Sequence, residues 1–451
     1  MKNWIKYLLG IFAILIVLVC VAVVAWWPEI SVLRGTEVPG ENIVIPASVA
    51  NFPALNQSSG DWPCWRGAKG DARSNITGIL TDWKGGLKKL WEVNFLCQGN
   101  TASTWSAPVI QGNRLIVGGR SKEEDIVFCL NPDDGSVIWK SSYAAQADST
   151  YGSGPRATPF IDKDKVYTFG RSGDLVCWNL LDGKKLWHKN VTDEGGKEPT
   201  WGHSSSPLVI GNTVIVQGGG TARVIAYDKM AGNVLWKSGQ GTAGYAAIVP
   251  MVLEGSQAVL AFHGKGLSAI LLESGKQLWE TTWETSYDVN ASTPIVEGNT
   301  IFITSDYGKG GALLQASQNE VKTLWQNDAI ASHHSDPYIL DGFIYGYSGQ
   351  SFQNKGDFKC LNAKTGEQMW STSEAGWGTC IWAENHLLCC DIAGNLHLVK
   401  PDPQKFIKVS EFRKALGNIR QGPVWTVPVI AGGKLYLRFN QKLVCYDLKK
   451  K

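Results

Sequence analysis

The 451-residue chain is poor in several things, and each shortage removes a class of function. Charge is nearly balanced, with 43 Lys and Arg against 40 Asp and Glu. No basic stripe with interleaved aromatics occurs, so the field a nucleic-acid partner would need is missing. Histidine is scarce, at seven residues. The ten cysteines show no spacing of a zinc ribbon or a haem attachment motif. The glycine-rich stretches "GKGLSAILLESGK" and "YGKGG" lack the strand–loop–helix context of a phosphate loop and read as tight turns.

Long apolar runs are also rare. The one that stands out is "MKNWIKYLLGIFAILIVLVCVAVVAWWPEI", uncharged from Tyr7 to Pro28. It is long enough to cross a bilayer as a helix. Lys2 and Lys6 precede it, which keeps the N-terminus cytoplasmic. A cleaved signal peptide ending near Val23-Val24-Ala25, or a lipoprotein modified at Cys20, are the competing readings. The expectation is therefore a membrane partnership through an N-terminal transmembrane helix. It places the protein at the cytoplasmic membrane, with the remainder on the extracytoplasmic, periplasmic side. Residues 1–28 are read as anchor or signal segment, 29–60 as linker, and 61–451 as one folded domain.

Glycine, at 50 residues, and tryptophan, at 20, are abundant. Both fit many short strands with tight turns and a large aromatic reused in packing. From Asp61 onward the chain repeats itself. "SSSPLVIGNTVIVQGGGTARVIAYDKMAGNVLW" holds four strands: a proline opens the first, Gly211-Asn212 turns into the second, and Trp236 ends the fourth. The opening prolines recur at 108, 159, 207, 250, 294, 337 and 428, with Cys380 in the remaining slot. The tryptophans recur at 91, 139, 187, 236, 279, 325 and 370. Four antiparallel strands per unit is a propeller blade. The last copy stops after three strands, and the lone strand around Trp91 supplies the fourth. The predicted fold is all-β: a single eight-bladed β-propeller of four-stranded blades, closed by the N-terminal strand, with an N-terminal transmembrane helix.

The units "VFCLNPDDGSVIW", "VIAYDKMAGNVLW" and "FKCLNAKTGEQMW" resemble the tryptophan-docking repeat of the pyrroloquinoline-quinone-like propellers. "DWPCWRGAKGDARSNITGIL", "WGHSSSPLVIGN" and "HHSDPYILDGFIYG" look like the exported propellers of planctomycete type. The wider superfamily includes quinone-dependent alcohol dehydrogenases and the propeller of the outer-membrane barrel assembly machinery, and fold does not choose among them.

In such a propeller, residues just before the first strand of each blade line one mouth of the central channel. The repeat collects Trp105, Arg156, His203, Tyr245, Asn290, His333, His334, Trp377 and Trp425 there. Aromatics beside a few polar groups suit a binding pocket. A metal is disfavoured, because adjacent histidines on an extended chain point apart. The dehydrogenase alternative implies pyrroloquinoline quinone with calcium, a carboxylate base and oxygen ligands, yet the collected set has no Asp or Glu. Cys389-Cys390 and the pair Cys64 and Cys97 are the cysteines considered for bridges. The reading is a non-enzymatic binding or scaffold module with no catalytic residue and no cofactor. Its ligand or partner (a small molecule, a glycan or a membrane protein) sits at the mouth.

Overall fold

A computed structural model describes residues 60–99, 102–146, 151–350, 355–419 and 423–450. Eight sheets follow one another along the chain. We number the blades by their strands: blade 1 (109–144), blade 2 (160–190), blade 3 (208–238), blade 4 (249–282), blade 5 (295–327), blade 6 (338–372), blade 7 (378–412), and blade 8, which joins Lys89–Val93 to three strands within 429–447. Within a blade each strand pairs antiparallel with the next, as tight hairpins require.

The tryptophan period has a direct physical cause. Each indole N–H reaches a backbone carbonyl in the following blade: Trp91 to Pro132, Trp139 to Leu180, Trp187 to Lys229, Trp236 to Leu272, Trp279 to Ser317, Trp325 to Ala363 and Trp370 to Asp402, at 2.9–3.2 Å. The indole satisfies its one polar group while its rings fill the gap between blades. The glycine four residues before the tryptophan is equally constrained. Gly183 has φ +72, and a Cβ there would lie 2.5 Å from the Trp139 ring. Blade 7 ends in Phe412, whose ring lies against Gly86, so a phenyl does the indole's packing at that junction.

The expected architecture needs three corrections. Blades 1 and 7 are five-stranded, not four-stranded. Cys97–Gln98 adds to blade 1, and Arg73–Ser74 adds to blade 7, each in parallel register. The sheets are not closed: every blade is an open sheet with its own edges, and Lys89–Val93 completes blade 8 alone. Among the described residues no helix is long and apolar enough to cross a membrane. The segment for which a transmembrane helix was expected, 1–28, lies outside the described residues, as does 29–59 of the linker.

The central channel is occupied by the chain itself. Gly60 accepts from Gly432 N beside blade 8, Trp62 bridges Ile110 of blade 1, and Pro63 accepts from Ile161 N of blade 2. Trp65 Nε1 donates to Thr293 Oγ1 at 3.0 Å, and Arg66 pairs with Asp336 at 2.8 Å. The chain then returns past blades 6 and 7, where Tyr338 donates to Ala72 O and Arg73 sits opposite Trp382. Touching the first strands of blades on several sides is possible only along the axis. Residues 60–79 are thus a hairpin plug, and the cavity beside it measures about 20 Å³, room for about one water.

Candidate binding site

Strands alternate direction, so the connections that precede each first strand emerge on the same face as the turns between second and third strands. The plug tip, Trp65 and Arg66, reaches Thr293 and Asp336 in two of those connections. The mouth is therefore a shallow dish with a protein floor.

Its rim is a closed circuit of seven aromatic side chains. Tyr151 contacts Trp201 at 5.6 Å, Trp201 contacts Tyr287 at 6.4 Å, and Tyr287 contacts Tyr307 at 5.9 Å between ring centroids. Tyr307 meets His333 at 5.2 Å, His333 meets His334 at 3.9 Å, His334 stacks on Trp425 at 4.7 Å, and Trp425 returns to Tyr151 at 6.1 Å. Most of these contacts are tilted or edge-on, the usual preference of aromatic pairs. All three tyrosines sit at positive φ, with Tyr151 at 55°, Tyr287 at 61° and Tyr307 at 61°. Bulky residues reach that region at a cost and are held there by their surroundings. Tyr151 and Tyr287 are also 56% and 65% exposed.

The residues expected at the mouth divide into two groups. Trp105, Arg156, His333, His334, Trp377 and Trp425 join the rim or its supports. Trp105 packs on Trp425 at 4.8 Å and donates to Tyr151 O, fixing the strained tyrosine. Arg156 donates to the carbonyls of Trp201 and Gly152, so the guanidinium ties two rim connections together. Trp377 is buried, donates to Gly349 O and meets the edge of His334 at 6.4 Å. His203, Tyr245 and Asn290 instead lie beneath the surface. Asn290 is fully buried; its amide donates to His263 O and Trp283 O and accepts from Ser305. Tyr245 accepts from Trp201 N, and His203 packs against Phe169. Sequence reasoning missed Tyr151, Trp201, Tyr287 and Tyr307. Strand alternation was the available signal for Tyr307, which sits in a turn between second and third strands.

Burial sets the electrostatics. It lowers His203 and His333 to about 4 and pushes the Tyr245 hydroxyl up to about 12. Burial, then the neighbouring His333 and Arg156, holds His334 well below its ordinary value. The three imidazoles are neutral at pH 7. Nδ1 of His334 and Nε2 of His203 find no hydrogen-bond partner among the described residues. No group of three or more His, Cys, Asp or Glu among the described residues is placed to hold a metal ion. Cys64, Cys97, Cys389 and Cys390 are free thiols. A quinone with calcium does not fit this arrangement. The two nearly parallel rings, His334 and Trp425, stack on each other at 28°, so the flat slot a quinone needs is filled.

Comparison with known proteins follows the fold. The family described as "Outer membrane protein assembly factor BamB" matches residues 122–372, more than half of the chain. The assembly factor BamB of Yersinia pestis is 23% identical over 301 residues, 62% of this chain and 70% of that protein. The next three curated relatives are matched over 50–65% of their length. Among solved structures, BamB from Moraxella catarrhalis superposes with a TM-score of 0.55 at 16% identity, over 80% of this chain and all of that one. Quinohemoprotein alcohol dehydrogenase from Comamonas testosteroni superposes at 0.61 and 14% identity, over 88% and 82%. Such identities show the fold alone. The curated relatives whose sequences match most of the chain carry the names of assembly factors and not of enzymes, in agreement with the non-enzymatic reading.

Two expectations are overturned. The cytoplasmic-membrane location gives way because the relatives are named as outer membrane protein assembly factors. Partnership through an N-terminal transmembrane helix gives way with it, since the relatives' names concern the assembly of outer-membrane proteins. By the match over residues 122–372, the chain belongs to the PQQ-repeat β-propeller family related to the outer-membrane assembly factor BamB.

Proposed function

We propose that this protein is a binding scaffold associated with the outer membrane, and that it docks an outer-membrane protein, or the precursor of one, over its aromatic mouth. The closed circuit of seven rings carries the reading. Exposed tyrosine and tryptophan are the side chains that dominate protein interfaces. Strained, exposed Tyr151 and Tyr287 stand above a floor formed by the plug tip, Trp65 and Arg66. Domain limits of 61–451 for the propeller and 29–60 for the linker belong to this reading. So does the nearer kinship with planctomycete-type propellers, which rests on the N-terminal and hairpin stretches quoted above.

A photo-crosslinking residue in place of Tyr287, in the full chain in its own cells, tests it. Adducts with outer-membrane proteins that disappear in Trp425→Ala support docking at the mouth. No adduct from position 287, or the same adducts in Trp425→Ala, would overturn it.

A second reading, a quinone-dependent dehydrogenase-like enzyme, draws on the higher TM-score to the alcohol dehydrogenase, 0.61 against 0.55. The filled slot between His334 and Trp425 weighs against it.

A further inference from the structure

Blade 7 departs from the repeat at one position. Where the other blades open their first strand with proline, this one has Cys380. The strand pairs with the next through Ala383 and His386, across a two-residue turn of Glu384 and Asn385. Both turn residues have positive φ, 42° and 62°, the mark of a type I′ hairpin. In that hairpin the pair flanking the turn is hydrogen-bonded, and the pairs alternate outward. Ala383–His386 and Ile381–Leu388 are then hydrogen-bonded pairs, and Cys380–Cys389 is a non-hydrogen-bonded one. Non-hydrogen-bonded pairs bring their Cα atoms to about 4.5 Å, within the span of about 4.4–6.8 Å that a disulfide bridges.

The side chains agree with the register. Cys380 and Cys389 point into the same apolar cluster, with Tyr338, Tyr347 and Trp377, while Cys390 points to the opposite face and joins another. The neighbouring Cys389 thiol, together with burial, holds the Cys380 thiol well above its ordinary value. Cys129, Cys177, Cys360 and Cys445 each occupy a separate blade. Both thiols of the pair are free in the structure, with Cys380 at 4% and Cys389 at 0% exposure.

We infer that Cys380 and Cys389 are the site of a cross-strand disulfide, formed in the oxidising compartment that an outer-membrane-associated protein occupies. The compartment rests on the function proposed above; the pairing does not. One thiolate attacks the disulfide of a protein dithiol oxidase or of oxidised glutathione, forming a mixed disulfide and releasing the first thiol. The second cysteine attacks that mixed disulfide. The S–S bond forms, two protons leave, and the oxidant carries away both electrons as two thiols. Because the pair is buried in the folded blade, the exchange takes place before blade 7 closes.

Two measurements on the full chain test this. Unfolded, reduced protein is refolded with oxidised glutathione, denatured, alkylated and mapped by mass spectrometry. A crosslinked peptide carrying Cys380 and Cys389, with two fewer alkylated thiols than the ten in the sequence, is expected. Cys389→Ser should restore alkylation of Cys380. Alkylation of both cysteines, or a bridge between Cys389 and Cys390, overturns the pairing. Acid-trapped cells from the natural host are then mapped in the same way. The crosslinked peptide is expected there too. Free thiols in cells, with the bond formed in the refolding experiment, would leave the pairing and overturn the compartment.

Discussion

His334 and Trp425 stack with ring centroids 4.7 Å apart and planes 28° from parallel, each brought by a different blade connection. The two flat faces cover each other, so no planar cofactor fits between them while they stack. Calorimetric titration of the full chain with pyrroloquinoline quinone, with and without calcium, is therefore expected to give no binding heat. Tight, calcium-dependent binding would mean that the stack opens, and would return the dehydrogenase reading.

Beneath that stack, Arg66 of the plug pairs with Asp336 at 2.8 Å, both nearly buried. Asp336 also accepts from Thr293 N at 2.7 Å. Arg66→Met leaves a buried carboxylate without its cation, which costs about 3–5 kcal/mol. Adding Asp336→Asn removes the stranded charge and keeps an acceptor for Thr293 N. The double variant should regain most of the loss in urea unfolding. Equal losses in the single and double variants would mean that the stranded Asp336 charge is not the cause of the loss.

The blade count was legible because it is written in periods. Prolines open first strands, and tryptophans dock onto the next blade's turn. The plug was not legible. Residues 60–79 touch several blades through irregularly spaced contacts, so they share no period with the repeat. The extra strands of blades 1 and 7 are two residues each, too short to show an alternation. At the mouth, aligning on the proline found His333, His334 and Trp425 but also collected Asn290, whose side chain turns inward to hold His263 O and Trp283 O. Tyr287 was missed because its connection carries a short 3₁₀ turn, Ser286–Asp288, that shifts it out of the aligned slot.

The glycine before the docking tryptophan gives a stability test away from the mouth. Gly183→Ala places a methyl 2.5 Å from Trp139 in a backbone region that L residues rarely adopt. Overpacking and unfavourable φ together should cost about 1–3 kcal/mol. Trp139→Phe in the same background should recover part of it by freeing space. An unchanged urea midpoint in Gly183→Ala would remove this contact from the forces that hold blades 1 and 2 together.

The buried histidines make stability depend on pH in one direction. His203 and His333 are lowered from 6.5 to about 4 by burial, so between those values the unfolded chain binds protons that the folded chain does not. Stability then falls as pH drops below 6.5, and each residue's share of the loss is complete once pH passes the folded value near 4. Linkage at about 1.36 kcal/mol per pH unit puts each share at no more than about 3 kcal/mol. His333→Gln should flatten the acid limb of a plot of melting temperature against pH by one such share, and should leave the region above pH 7 unshifted in slope. A limb as steep in His333→Gln as in the parent would show that burial does not hold His333 below its ordinary value in the folded protein.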